Sequence, residues 1–539
     1  MGMVSWSVVL PLLLAAGVWV FPKAAARWAA LLGGVVTLVI GGLLTVEAAV
    51  HPQAAFVHVD QWVWSHTWGA AWLVGVDGIG ASLLALSGLI TAIATVSAWH
   101  EDRHPRAYHA LVLLLTAGAN GVFTALDALL FYVCWEVVLV PMLLLIGIWG
   151  GAQRRYAALK FFVVTLAGSI GLLGVIVLLW AHTPAAGRTV PVPAPVVAAY
   201  AAADGTVHGL TVTPAATPEA SPTVVVPRNL DLRHWALAWR AWEDERVLGI
   251  SLAALGFAAA VLAFAVKVPL IPFHTWLPHA HVQAPTAISV ILAGVLLKLG
   301  VYGFVRIAWP LFPHQAAVWG PWLAAIGAIG IVVAAWVALM QTDLKRLVAY
   351  SSISHMGFCL LGLASLTVAG VNGAVLQALT HGVGSALLFL LVGVIYDRAH
   401  HRRADGFGGL AGPMPRFAGV LLLAALTGCG LPGLAGFPGE LLATLGAFQG
   451  GFPWLGVLAA LSVVLSAAYL LGMVRRVAYG PLRHPEQASF PDLDAREWTA
   501  LAPLVVLAVL LGVWPQPLLD AIRPAVEALI HHCAAGVVL

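Results

Sequence analysis

The chain holds fourteen apolar stretches, most of them long enough to cross a lipid bilayer, and this sets the kind of molecule it can be. About 20 apolar residues span the hydrocarbon core as a helix. At that depth every backbone N–H and C=O must be satisfied internally, so spanning segments are helices or strands of closed barrels. Continuous runs of this length are helices. They fall near 4–21, 28–50, 77–99, 109–125, 127–149, 156–181, 248–273, 284–308, 317–340, 345–366, 371–397, 415–449, 453–474 and 498–518. The fold class is therefore all-α and polytopic, with about fourteen transmembrane helices. Composition agrees: the chain is 61% hydrophobic and 9% charged, against roughly 45–50% and 25% in soluble domains. A net charge of +3 is too small to point to nucleic acid. The lipid bilayer is the implied surrounding.

Lys and Arg set the orientation, because short cytoplasmic loops are enriched in them. Loops after odd-numbered spans carry 17 of the 26 basic residues. Both termini are thus expected outside the cytoplasm. No basic residue precedes the apolar run at 5–21, and Lys23 and Arg27 follow it, so a retained helix is expected rather than a signal peptide. One long loop, 182–248, reads as an extracytoplasmic insertion. Its first part is rich in Pro, Ala, Thr and Val and is expected to be extended and poorly ordered. Its second part places Trp235, Trp239 and Trp242 at helical spacing, as in a helix packed on the outer surface.

Two spans are interrupted. Pro269 and Pro272 follow Lys267, and the twelfth span contains Pro432, Gly433, Gly436, Pro438 and Gly439 ahead of Glu440. Helix breaks at membrane depth are tolerated where they line a cavity, and paired broken helices mark binding sites in transporters. The breaks lie five spans apart. This suggests two inverted five-helix repeats, each with a broken helix: 109–312, which includes the insertion, and 313–480. A three-helix segment at 1–108 precedes them, and a helix and tail at 481–539 follow.

Four lone charges sit in these apolar runs: Glu136, Lys267, Lys298 and Glu440. A charge at the centre of the bilayer costs at least about 2.5–3.5 kcal/mol, so it usually has a partner or lines a water path. Glu136 facing a lysine would keep both charged. If the carboxylate withdrew, desolvation would favour loss of the lysine proton. Lys298 shares a face with Gly294, Tyr302 and Arg306. His355 lies with Ser351 and Ser354, and His381 with Gln377, Thr380 and Ser385, in stripes that could hold water. Asp127 lies at a tight turn and reads as a helix cap. Cys134, Cys359, Cys429 and Cys533 are far apart and read as small buried hydrophobes. Clustered ligands for zinc or iron–sulfur, and a C-x-x-C-H haem motif, are missing from the sequence, so neither a metal nor a cofactor is expected in this chain.

Long contiguous stretches resemble the antiporter-like, proton-pumping subunits of respiratory complex I. They include FAVKVPLIPFHTWLPHAHVQAPTAISVILAGVLLKLGVYGF, LVAYSSISHMGF, LTHG and ALLFLLVGVIYDR. WEVVLVPMLLLIGIWGG and RRYAALKFFVVTLAGS are most similar to the M type, and the resemblance covers roughly 100–480. Glu440, in GFPGELL, stands where the M type carries a glutamate and its L and N relatives a lysine.

The resemblance implies roles. Glu136 and Lys267 would form the ion pair of a first half-channel. Lys298 would be the central relay, with His355 and His381 carrying the proton onward and Glu440 as the terminal site. The chain would be a subunit of a bacterial NADH:quinone oxidoreductase in the inner membrane, without redox chemistry of its own, driven by quinone reduction elsewhere. Its partners would be the L- and N-type subunits of the membrane arm. A subunit of a related cation/proton antiporter or of a membrane-bound hydrogenase is the alternative. Three departures from the family pattern stand out: His279 in place of an aspartate, Pro438 close to Glu440, where it would deepen the break, and the long insertion.

Overall fold

The computed structural model describes residues 2–20, 22–51, 56–184, 186–192, 206–207, 209–213 and 221–537. Each of the fourteen apolar segments carries helix: α1 (Met3–Gly17), α2 (Ala25–Val50), α3 (Gly78–Ser97), α4 (Pro105–Thr124), α5 (Ala128–Trp149), α6 (Arg154–Ala181), α9 (Leu252–Lys267), α11 (Thr286–Leu311), α12 (Pro313–Leu339), α13 (Leu344–Ala364), α14 (Val368–Ala399), the pair α15 (Pro415–Gly428) and α16 (Gly436–Gln449), α17 (Pro453–Ala478) and α18 (Ala495–Val513). Among the described residues, eleven helices are long and apolar enough to cross a membrane, and α1, α9 and α15 are shorter apolar helices. The short helices α7 (Leu232–Leu237) and α8 (Trp239–Asp244) belong to the insertion, α10 (Trp276–Gln283) follows α9, and α19 (Gln516–Val537) closes the chain.

The helices between α4 and α17 pack as two similar series. In the first, α4 lies on α5, α5 on α6, α6 on the interrupted pair α9/α10, and that pair on α11. In the second, α12 lies on α13, α13 on α14, α14 on α15/α16, and that pair on α17. The series join where α10 meets α13 and α11 meets α14. Both α11 and α14 are buried along their apolar length, whereas less than half of that length is buried in α2, α6, α17 and α18. The interior of the molecule is therefore the pair α11/α14, which carries Lys298 and His381.

Both interruptions predicted from proline and glycine are present. After Lys267 the helix stops, and the Val266 carbonyl freed there accepts a hydrogen bond from the Trp276 indole (2.9 Å). The second break runs between Gly428 and Gly436, where the Ala435 N–H is satisfied by the Ala508 carbonyl of α18 (2.8 Å). Gly430 is required there twice over. Its φ is +68°, and a Cβ would come within 2.6 Å of Glu440 Oε2. Pro438 does not deepen the break. It lies in the first turn of α16, where a missing N–H leaves no helical bond unmade.

Two elements were not read from the sequence. A β-hairpin, β1 (Val57–Ser65) with β2 (Ala70–Val76), follows α2. The amphipathic helix α19 occupies what reads as a tail, and packs on α2, α3, α12 and α14. Within the insertion, β3 (Arg188–Pro191) pairs with β4 (Thr223–Val226). The Pro- and Ala-rich segments at 193–205 and 214–220, expected to be poorly ordered, lie outside the described residues. The Trp-rich part forms α7 and α8, with all three tryptophans buried.

This part is stitched to the bundle. Ala128 N–H bonds to Leu230 O (2.7 Å), and Leu232 N–H to Leu126 O (2.8 Å). Asp127 is the cap expected of it: its carboxylate accepts from the N–H groups of Leu130 (2.9 Å) and Ala71 (3.0 Å). Asp231 caps α7 and binds the Arg233 guanidinium through both oxygens. Burial pushes the Asp231 carboxyl up, but His234 and Arg233 outweigh burial and hold it below the usual carboxylate range.

Candidate functional site

The site begins with Lys298. The helix that carries it, α11, is α-helical only in part. Residues Leu292–Leu296 and Phe304–Ala308 are π-helical turns on either side of Leu297–Gly303. Single π turns inside α-helices are frequent at functional sites. They also split the stripe expected from i, i+4 spacing. Lys298 is fully buried, donates to the Ala293 carbonyl, and lies 2.7 Å from His381 Nδ1 on α14. Tyr302 and Arg306 instead face the first helices: Tyr302 OH donates to Phe123 O (2.9 Å), and Arg306 pairs with Asp77 (2.6 Å).

From His381 the polar line continues through the second series. The rings of His381 and His355 lie 5.6 Å apart between centroids. His355 Nδ1 is 2.8 Å from Glu440 Oε1, and Gln377 Nε2 donates to the same oxygen (3.2 Å). Glu440 sits in the first turns of α16 and is 6% exposed. A small cavity of about 20 Å³ is lined by Ser351, His355, Gln377, His381, Thr427 and Glu440, among others. That is room for about one water. Tyr469 OH reaches Ser351 Oγ (3.1 Å). Ser354, expected on the same face, bonds instead to Ile331 O. Four of the six residues singled out from the sequence thus share one buried line: Lys298, His381, His355 and Glu440.

The other two stand apart from each other. Among the described residues, no ion pair joins Glu136 to Lys267. Glu136 accepts from Ser169 Oγ (2.5 Å). Among the described residues the Lys267 ammonium has no hydrogen-bond partner, and it lies 4.9 Å from the centroid of the Trp135 ring. The ammonium is held by an aromatic face, worth roughly 0.5–2 kcal/mol, in place of a carboxylate. Ser169 and Trp135 were not singled out from the sequence. Trp135 could have been, because it precedes Glu136 and so belongs to the same turn.

Two more buried bases were missed. His281, on α10, is fully buried, has no partner for either ring nitrogen among the described residues, and stacks on Phe389 (4.3 Å between centroids). Lys345, at the start of α13, is 3% exposed and donates to the Ala284 carbonyl (2.8 Å). Lys345 reads as a loop lysine because it directly follows an aspartate and a leucine at a helix start. Only the approach of α10 to α13 buries it. His279 is half-buried and bonds to the Thr275 carbonyl, with Lys160 Nζ at 3.5 Å.

Comparison with known proteins follows the same outline. Residues 125–188 and 235–466 match the family described as NADH:quinone oxidoreductase/Mrp antiporter, TM. NADH-quinone oxidoreductase subunit M of Rhodobacter capsulatus is 39% identical over 508 residues, covering 94% of this chain and 91% of that protein. A chain of respiratory complex I from Thermus thermophilus with bound NADH superposes with a TM-score of 0.80 at 29% identity, covering 98% of this chain and 99% of that one. A chain of the Mrp complex from Dietzia sp. shares the fold, with a TM-score of 0.77 at 19% identity.

Proposed function

The chain belongs to the NADH:quinone oxidoreductase/Mrp antiporter family, among the relatives named subunit M, and on that premise we propose that it carries protons through the membrane arm of a quinone-reducing complex along Lys298, His381, His355 and Glu440. One observation carries this reading. Two close contacts, Lys298 to His381 (2.7 Å) and His355 to Glu440 (2.8 Å), are bridged by neighbouring imidazoles and a water-sized cavity inside an apolar bundle.

Each group can both take and release a proton. An ammonium passes its proton to an imidazole nitrogen, and imidazole passes a proton onward from its other nitrogen. Glu440 is the acceptor at the far end. Lys267, Glu136 and Ser169 serve as the control element: movement of the carboxylate toward or away from the ammonium changes how firmly Lys267 holds its proton. The complex supplies the driving force by quinone reduction, and this subunit performs no redox step. We place both termini outside the cytoplasm, in the inner membrane, with L- and N-type subunits as neighbours.

The test uses the intact complex in sealed vesicles, with NADH and a quinone as substrates and an internal pH-sensitive dye. Lys298→Ala and Glu440→Gln should each slow proton transport per assembled complex about tenfold or more, the effect of a barrier raised by about 1.4 kcal/mol. NADH oxidation by an artificial acceptor should stay unchanged. Normal proton transport in both variants would overturn the reading.

A further inference from the structure

We propose that Asp397, the cavity beside it, Lys345 and His281 form the uptake branch that delivers protons to Lys298 from the basic end of the bundle; this rests on the proton-carrying reading above.

The last turn of α14 leaves Asp397 exposed at the rim of a cavity of about 50 Å³, which Thr286, Ser97, Arg496 and Glu497 also line. Such a volume holds at least one water. Glu497 is committed: Arg398 grips both of its oxygens at 2.8 and 2.9 Å. Asp397 forms no ion pair within 4.0 Å among the described residues, so it is the carboxylate left to exchange protons with solvent. Gly393 brings α14 onto Thr286, since a Cβ there would lie 2.3 Å from the Thr286 methyl. This close approach puts the cavity beside the start of α11.

Inward of it lie two bases that the main line does not use. Lys345 is buried and donates to the carbonyl of Ala284, two residues before Thr286, which lines the cavity together with Asp397. His281 lies in the last turn of α10, whose end Lys345 caps, and stacks on Phe389 of α14, the helix whose His381 meets Lys298; its two ring nitrogens have no partner among the described residues. Unpaired polar atoms buried in an apolar setting call for an explanation. A neutral imidazole provides one: it accepts a proton on its bare nitrogen from the Lys345 ammonium and releases the other nitrogen's proton to a neutral Lys298 amine. One N–H bond forms and one breaks on the ring, and the tautomer reverses. Lys345 becomes neutral and is recharged from Asp397.

Lys345 also has a plain structural reading, because together with Arg402 it caps the carbonyls that end α10. The test must separate the two. Lys345→Arg keeps the charge and the cap but does not release its proton. His281→Phe keeps a flat ring against Phe389 and carries no proton. Both should slow proton transport in the assembled complex to the level of Lys298→Ala. Wild-type transport in both, with Lys298→Ala impaired, overturns the uptake branch and leaves the proposed function standing. Wild-type transport in Lys298→Ala overturns the proposed function itself. If the two interior variants fail to assemble, Asp397→Asn, at an exposed position, decides: slowed transport supports the branch, and an unchanged rate overturns it.

Discussion

Lys298 and His381 face each other nitrogen to nitrogen, Nζ toward Nδ1. Their nitrogens are 2.7 Å apart, and neither side chain is more than 7% exposed. When Lys298 is charged, Nδ1 of His381 must be the bare nitrogen, which leaves the ring proton on Nε2. That nitrogen is buried and has no hydrogen-bond partner among the described residues, so on the proposed route it is the one that passes the proton on. His381→Gln offers an acceptor of similar reach but cannot carry a proton onward. It should assemble normally and still lose proton transport about tenfold or more in sealed vesicles.

Trp135 holds the Lys267 ammonium where a carboxylate was expected. Trp135→Phe keeps an aromatic face and should transport protons at near the normal rate. Trp135→Leu removes roughly 0.5–2 kcal/mol from the charged form. Proton transport should change by about two- to thirty-fold, read as initial rates of vesicle acidification. Equal rates for Phe and Leu would sink the role given to the ring.

Gly446 sits where α16 crosses α14. A Cβ there would lie 2.2 Å from Gly370 Cα and 2.6 Å from its nitrogen. Backbone cannot yield as a flexible side chain does, so Gly446→Ala must force the helices apart. Overpacking of this kind costs roughly 1–3 kcal/mol. The detergent-solubilised complex should lose this subunit at a lower temperature than the wild type, measured by heating followed by native gel electrophoresis.

Asp231 anchors the insertion, and its carboxyl is held below the ordinary value of 3.8. A carboxyl with a lowered folded pKa stabilises the folded form fully above its unfolded value, and that stabilisation is lost as pH falls through the folded value. Hydrogen exchange at 229–245 should therefore stay slow at pH 5 and rise as the pH drops below about 4. Asp231→Asn should show the fast exchange already at neutral pH.

Much of the architecture was legible, because run length in an apolar chain reports directly on helices, and Pro and Gly report on their breaks. Both interruptions and the cap at Asp127 were read from sequence this way. The amphipathic α19 was hidden by Pro524 in its interior and by a polar face that resembles a tail. The hairpin at Val57–Val76 lies in a connecting segment where length says nothing. Within the site, residue types were legible and partners were not. Glu136 and Lys267 invite pairing because each is a lone charge, yet Ser169 and Trp135 take the places beside them. His281 and Lys345 become notable only through burial, which depends on how α10, α13 and α14 meet.

The two backbone bonds between the insertion and the turn at Leu126–Asp127 also bear on the order of events during synthesis. They join points about a hundred residues apart in the chain, on either side of α5 and α6. Closing so long a loop carries an entropy penalty that grows only with the logarithm of its length. The contact can form once 230–232 has emerged, before the second series, which starts at Pro313, exists. A nascent chain that has made it holds α5 and α6 in a closed circuit that starts at the end of α4. The second series is then added to a first one whose outer rim is already fastened.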